Sequence, residues 1–171
     1  LPEVSGLTNV CASRSVETLY EPAWQRYQHH YRQINGAHSA VYPGVALGLQ
    51  ALAEAGLALA CLTNKPLAFA QDLLRVKGLA GHFSHVFGGD SFERKKPDPL
   101  PLLKTCEALG AAPQETLMVG DSSNDAQAGH AAGCGVVLVT YGYNHGQPIR
   151  QTPALAWVEA LTDIAQALGG R

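Results

Sequence analysis

The chain has 171 residues, of which 46% are apolar and 15% charged, with 12 basic and 14 acidic side chains and a formal charge of −2. That length accommodates one domain, or one domain with an appendage, and enough apolar material to bury a core without disulfides or a structural metal. The composition excludes a disordered chain, and the near-neutral charge gives no electrostatic basis for binding nucleic acid or an anionic membrane.

No apolar stretch reaches the length of a membrane span, and the N-terminus has no basic segment leading into an apolar one. A soluble, cytoplasmic protein is expected. The four cysteines, Cys11, Cys61, Cys106 and Cys134, form no C-x-x-C pair and read as free thiols of a reducing compartment.

In chain order, residues 1–41 differ in texture from the rest. Pro22 suits the first turn of a helix running to about Ile34, where Asn35-Gly36 stops it, and Ser15 to Tyr20 reads as a separate turn or two. Trp24, Tyr27, Tyr31 and Ile34 recur at three-to-four spacing and form an aromatic packing stripe. Pro43-Gly44 is a turn, followed by an amphipathic helix, VALGLQALAEAG. LALACLTN (57–64) is an apolar run ending in polar residues, as expected of a strand buried on both faces. A helix over about 66–77 follows, then a strand in HVFGGD (85–90) and a basic loop, ERKKPDP. A helix over about 100–109, a strand in TLMVGD (116–121), a helix near 124–132 and a strand in GVVLVTYG (135–142) come next, and the stretch 153–168 reads as mostly helical.

Strands alternate with helices from residue 45 onward, which predicts an α/β fold: a Rossmann-like, three-layer parallel sheet with helices on both faces. Sites in such sheets form beyond the carboxyl ends of the strands, where Thr63-Asn64, Asp90 and Asp121 fall. Thr63 and Asn64 at a strand-to-helix junction suit either an anionic oxygen or a helix cap. In KKPDP (95–99) two prolines stiffen a loop whose lysines either neutralise phosphate charge or are merely solvated. Asp121 is placed either as a ligand for a hard cation such as Mg²⁺ or as a helix cap. Asp125, one turn later, would hold the metal's water shell, orient the lysine or complement the helix dipole. Together the clusters amount to an anion cradle, a charge neutraliser and a metal site, the equipment for phosphoryl transfer without a nucleophile.

CLTNKP, KKPDP and MVGDSSNDAQAGHAAG, in this order and at these spacings, resemble the haloacid dehalogenase superfamily, and more narrowly its phosphoglycolate phosphatases. VYPGV (41–45) and the run from Asn64 to Ser91 extend the likeness, which covers roughly residues 41–165. The resemblance implies a Mg²⁺-dependent phosphatase of a small phosphorylated metabolite, with 2-phosphoglycolate the leading candidate and an aspartyl-phosphate intermediate. It implies that Thr63 and Asn64 bind the phosphoryl group and that Lys96, with Lys95 as its solvated neighbour, stabilises its charge. Asp121 would ligate Mg²⁺, and Asp125 would support the metal or Lys96. Residues 1–41 resemble the second half of a helical cap, leaving 42–171 as the core.

One departure is large. The family begins with a strand ending in D-x-D-G-T, which supplies the nucleophile and the general acid/base, and no D-x-D occurs in this sequence. That strand is central in the family's sheet, so its absence would separate the strand ending at Asn64 from the one ending at Asp121. The expectation is a C-terminal part of a longer protein, inactive by itself. Two unpaired inner strand edges would then open a route to self-association, or be plugged by LTNVCAS (7–13) or a second copy. The alternative function is a degenerate, non-catalytic module binding a phosphometabolite or a partner. A receiver-like signalling domain needs an acidic pair after its first strand and a phosphoacceptor Asp on a middle strand, and neither is visible.

Overall fold

The computed structural model describes residues 16–169. Ser15 and the candidate plug at 7–13 lie outside the described residues. The chain divides into two compact units, Leu1–Ser39 and Ala40–Arg171.

In the first unit, helix α1 runs over Val16–Ile34. Pro22 lies inside this helix rather than in its first turn, so the expected break between Tyr20 and Pro22 does not occur. Proline removes one backbone bond and crowds the preceding turn, but a long helix absorbs this as a local bend.

In the second unit α2 (Val45–Glu54) precedes β1 (Ala60–Leu62), α3 (Leu67–Val76) and β2 (His85–Phe87). Then come α4 (Leu100–Leu109), β3 (Leu117–Gly120), α5 (Ser123–Ala132), β4 (Gly135–Val139), β5 (Ala156–Val158) and α6 (Leu161–Gly169). All strand pairs are parallel. Strand β5 stands inside the stretch 153–168 that sequence reasoning expects to be mostly helical; AWV pairs with Val137, Leu138 and Val139, and that tertiary pairing overrides weak local preference.

The core is organised around β4. Val136 and Leu138 are fully buried in a cluster with Leu102 and Cys106 of α4, Met118 of β3, and Ala126 and Ala132 of α5. Val137 points the other way, into a cluster with Leu52 of α2 and Ile164 of α6. Alternate residues of one strand thus feed two helical layers, the period-two signature of a sheet covered on both faces. Each such Val or Leu contributes about 1.5–3 kcal/mol through burial.

Among the described residues the strands form two sheets, β1-β2 and β3-β4-β5, with no pairing between β1 and β3. Every residue of β1 is only half-buried, not buried on both faces as expected from the apolar run, and every residue of β2 is half-buried as well. Helix α4 packs on both β1 and β2 and also on α5, so it ties the sheets together. No helix among the described residues is long and apolar enough to cross a membrane.

Candidate active site

The carboxyl ends of β1 and β3 are joined by one side chain. Lys96, in the loop before α4, is buried, at 8% exposure. Its Nζ donates to the carbonyl oxygen of Leu62, the last residue of β1, at 2.7 Å. The same nitrogen lies 2.7 Å from Oδ1 of Asp125 on α5. Lys95 next to it is exposed.

The loop that carries Lys96 is clamped at its backbone. The Asn64 amide donates to the Lys96 carbonyl at 2.8 Å, and the Lys96 N–H donates to Asn64 Oδ1 at 3.1 Å. Both polar atoms of Asn64 are therefore engaged with the loop, which casts it as a positioning residue. The Lys96–Pro97 peptide is cis. Thr63 Oγ1 accepts the Lys65 N–H at 3.2 Å, while the N–H of Leu67 at the start of α3 is taken by Asp90 Oδ1 at 2.7 Å. Asp90 is thus the helix-capping acid at this junction, a task that sequence reasoning had offered to Thr63 or Asn64.

Asp125 is the most heavily bonded group. Its Oδ2 accepts the N–H of Asp121 and of Ser122, each at 3.1 Å, and the Ser122 hydroxyl at 2.8 Å. Burial opposes its ionisation, but the Lys96 ammonium, aided by the Ser122 hydroxyl and the Asp121 N–H, outweighs that and holds the carboxyl below its ordinary range. These contacts place Asp125 in a capping box with Ser122 at the start of α5 as well as against Lys96, so they match both the helix-end role and the lysine-orienting role. The same burial pushes the Cys61 thiol on β1 up, with Lys96 opposing.

Asp121 is held from the other side. Its Oδ2 accepts the Tyr143 N–H at 3.0 Å, and its Oδ1 makes no hydrogen bond among the described residues. The loop after β4 that supplies Tyr143 is anchored by buried Asn144, whose Oδ1 accepts the Ser123 N–H at 2.8 Å. Two glycines let the backbone come this close: a Cβ at Gly142 would overlap the Asp121 side chain, and one at Gly120 would overlap that of Asp125. Sequence reasoning missed the 141–144 loop because it acts through backbone N–H groups and a lone amide; the adjacent glycine was the only signal. The Tyr141 phenol is pushed up, first by burial and then by the Asp121 charge.

Asn64, Lys96, Asp125 and Asp121 thus form one continuous hydrogen-bonded series, which Thr63 joins only through its chain neighbours. An open groove of about 690 Å³ runs beside it, lined by Arg94, Lys95, Lys96 and Pro97 of the loop and Gln127 and Ala131 of α5. A hard cation prefers about six oxygen ligands. The uncommitted oxygen of Asp121 suits one of them, whereas Asp125 is saturated by Lys96 and three donors. No cluster of three or more metal-ligating side chains occurs among the described residues.

The model of haloacid dehalogenase-like hydrolases matches residues 9–133. A phosphoglycolate phosphatase of Thiobacillus denitrificans is 46% identical over 147 residues, covering 86% of this chain and 65% of that protein. The phosphoglycolate phosphatase of Escherichia coli is 43% identical, covering 84% of this chain and 57% of that protein. This chain thus spans less than two thirds of the length of these curated relatives. Among solved structures, a predicted phosphoglycolate phosphatase from Haemophilus somnus superposes with a TM-score of 0.82 at 34% identity, covering 93% of this chain and 71% of that one. The matched span takes in both strand ends and the Lys96–Asp125 bridge between them, and the chain belongs to the haloacid dehalogenase-like hydrolase family.

Proposed function

We propose that this chain carries the lysine–carboxylate part of a Mg²⁺-dependent phosphatase that hydrolyses a small phosphorylated metabolite, 2-phosphoglycolate first among candidates. The observation that carries this reading is the buried Lys96 ammonium, held between the Leu62 carbonyl at the end of β1 and the Asp125 carboxylate in the first turn of α5. A fixed cation at that place stabilises charge on a transferring phosphoryl group with little reorganisation. Asn64 fixes the loop, Asp125 aims the ammonium, and Thr63 offers a hydroxyl to a phosphoryl oxygen. Asp121 would hold Mg²⁺ through its uncommitted oxygen, and the ion when bound would neutralise phosphate charge. Residues 1–41 would serve as part of a cap that selects the substrate. The nucleophile is the carboxylate of a D-x-D-G-T strand, which this sequence does not contain, so the chain by itself is expected to show no turnover.

The test joins the N-terminal part of the Thiobacillus denitrificans relative to this chain and measures phosphate release from a panel of small phosphomonoesters, with Mg²⁺ and with EDTA. Mg²⁺-dependent release, highest on 2-phosphoglycolate, is expected. A folded chimera that stays inert on the whole panel would refute the reading.

A further inference from the structure

The turn that closes on Asp121 is tied down at its two ends and not in its middle. On one side the Thr140 N–H donates to the Val158 carbonyl at 3.0 Å, which extends the β4–β5 pairing. On the other, Asn144 accepts the Ser123 N–H, and its own amide donates to the Gln147 carbonyl at 3.2 Å. Between these anchors the Tyr143 N–H goes to Asp121 Oδ2. Among the described residues, Tyr141 and Gly142 make no backbone hydrogen bond. Gly142 nevertheless lies so close to the Asp121 side chain that a Cβ there would overlap it, so any shift of the turn is felt by that carboxylate.

What holds the middle of the turn is a ring contact. Tyr141 packs on Tyr42, with ring centroids 4.8 Å apart and planes tilted by 48°, a spacing at which aromatic pairs attract. Both residues belong to the second unit. Tyr42 is firmly mounted. Pro43 after it restricts its backbone, and its carbonyl accepts the Val45 N–H at 3.3 Å. Gly44, at a positive φ of 78°, then turns the chain into α2. Helix α2 is fixed in turn by its buried Leu49 and Leu52 and by packing on α6. A rigid element thus reaches Asp121 through two rings and one backbone N–H.

We propose that Tyr42 and Tyr141 are a positioning pair for Asp121: Tyr42 bears on the Tyr141 ring, which keeps the Tyr143 N–H on Asp121 Oδ2 and so fixes which carboxylate oxygen stays uncommitted. The consequence for metal binding rests on the reading of Asp121 as a Mg²⁺ ligand given above; the positioning itself does not.

Amide hydrogen exchange of this chain, read residue by residue by NMR, tests the positioning. Loss of one aromatic pair should favour local opening and speed exchange of the Tyr143 amide by about threefold to tenfold. Tyr42→Ala and Tyr141→Ala should each do so. The double variant should be no faster than either single one, as for two groups acting through one contact. The Thr140 and Ser123 amides, at the two anchors, should keep their wild-type rates. Tyr42→Phe, which retains the ring, should restore the slow Tyr143 amide. In the N-terminally completed chimera, Tyr42→Ala should raise the Mg²⁺ concentration for half-maximal phosphate release by about threefold to tenfold, with KM for the phosphomonoester unchanged. A Tyr143 amide indifferent to Tyr42→Ala would overturn the proposal. So would one that accelerates together with Thr140 and Ser123, since that is general loosening. An active chimera whose Mg²⁺ requirement ignores Tyr42→Ala would overturn it as well. An inert chimera alongside the expected amide changes would instead refute the phosphatase reading and leave the positioning pair supported.

Discussion

Removing either end of the Lys96–Asp125 pair should have unequal costs. Both side chains are almost wholly buried, at 9% and 7% exposure, and their charged atoms are 2.7 Å apart. Asp125→Ala leaves the ammonium in place with only the Leu62 carbonyl, and strips acceptors from the Asp121 N–H, the Ser122 N–H and the Ser122 hydroxyl. Breaking a buried pair from that side costs about 3–5 kcal/mol. Lys96→Met keeps most of the side-chain volume and leaves Asp125 with its three remaining donors, so its cost should be nearer 1–3 kcal/mol, roughly that of an imperfectly satisfied polar group. Against a typical total stability of about 5–15 kcal/mol the two are readily separated. Urea unfolding followed by Trp157 fluorescence in a Trp24→Phe background reads both. The pH dependence has a defined sign. Because the folded-state Asp125 pKa is depressed, its contribution is fully present above the unfolded carboxyl value of about 4 and fades as pH falls through the lower folded value. The gap between wild type and Asp125→Ala should therefore narrow below about pH 4. A Lys96→Met cost equal to or above that of Asp125→Ala, or a gap that widens in acid, would refute the reasoning.

Other perturbations bear on the same site. Gly142→Ala places a methyl group into the Asp121 side chain and should cost about 1–3 kcal/mol in urea unfolding, as overpacked positions do. Asn64→Ala removes both clamps on the Lys96 backbone and should cost about 1 kcal/mol, read in the same titration. Burial, reinforced by Cys106 with its sulfur 3.9 Å away, pushes the Cys134 thiol up to about 12. Thiol labelling of the native chain near neutral pH, mapped by mass spectrometry, should therefore leave Cys134 unmodified until urea is added.

The sequence was informative where chemistry is local. An apolar run closing in polar residues placed the ends of β1 and β3, and three clusters at strand ends marked the site region. It was silent on what those polar groups touch. Asn64 reads as an anion ligand because an amide at a strand end can be one; its real partners are backbone atoms of residue 96, distant in sequence. Asp125 reads as a support for the metal's water shell, for the lysine or for the helix end, and the spacing alone does not say which; its oxygens contact Lys96 and the turn around Ser122. Strand β5 escaped because three residues beside Pro153 carry too little pattern, and pairing with β4 decides their state. The expectation of a strand buried on both faces at β1 failed for a related reason: burial there depends on a neighbouring strand, not on the run itself.

The central claim is that Lys96 supplies the fixed positive charge for phosphoryl transfer. The most direct measurement is kcat/KM for 2-phosphoglycolate with Mg²⁺ in the N-terminally completed chimera, with and without Lys96→Met. Loss of such a preorganised charge should lower the value by about 100-fold or more, while the variant still unfolds cooperatively. A folded Lys96→Met chimera that retains its full rate would contradict the account.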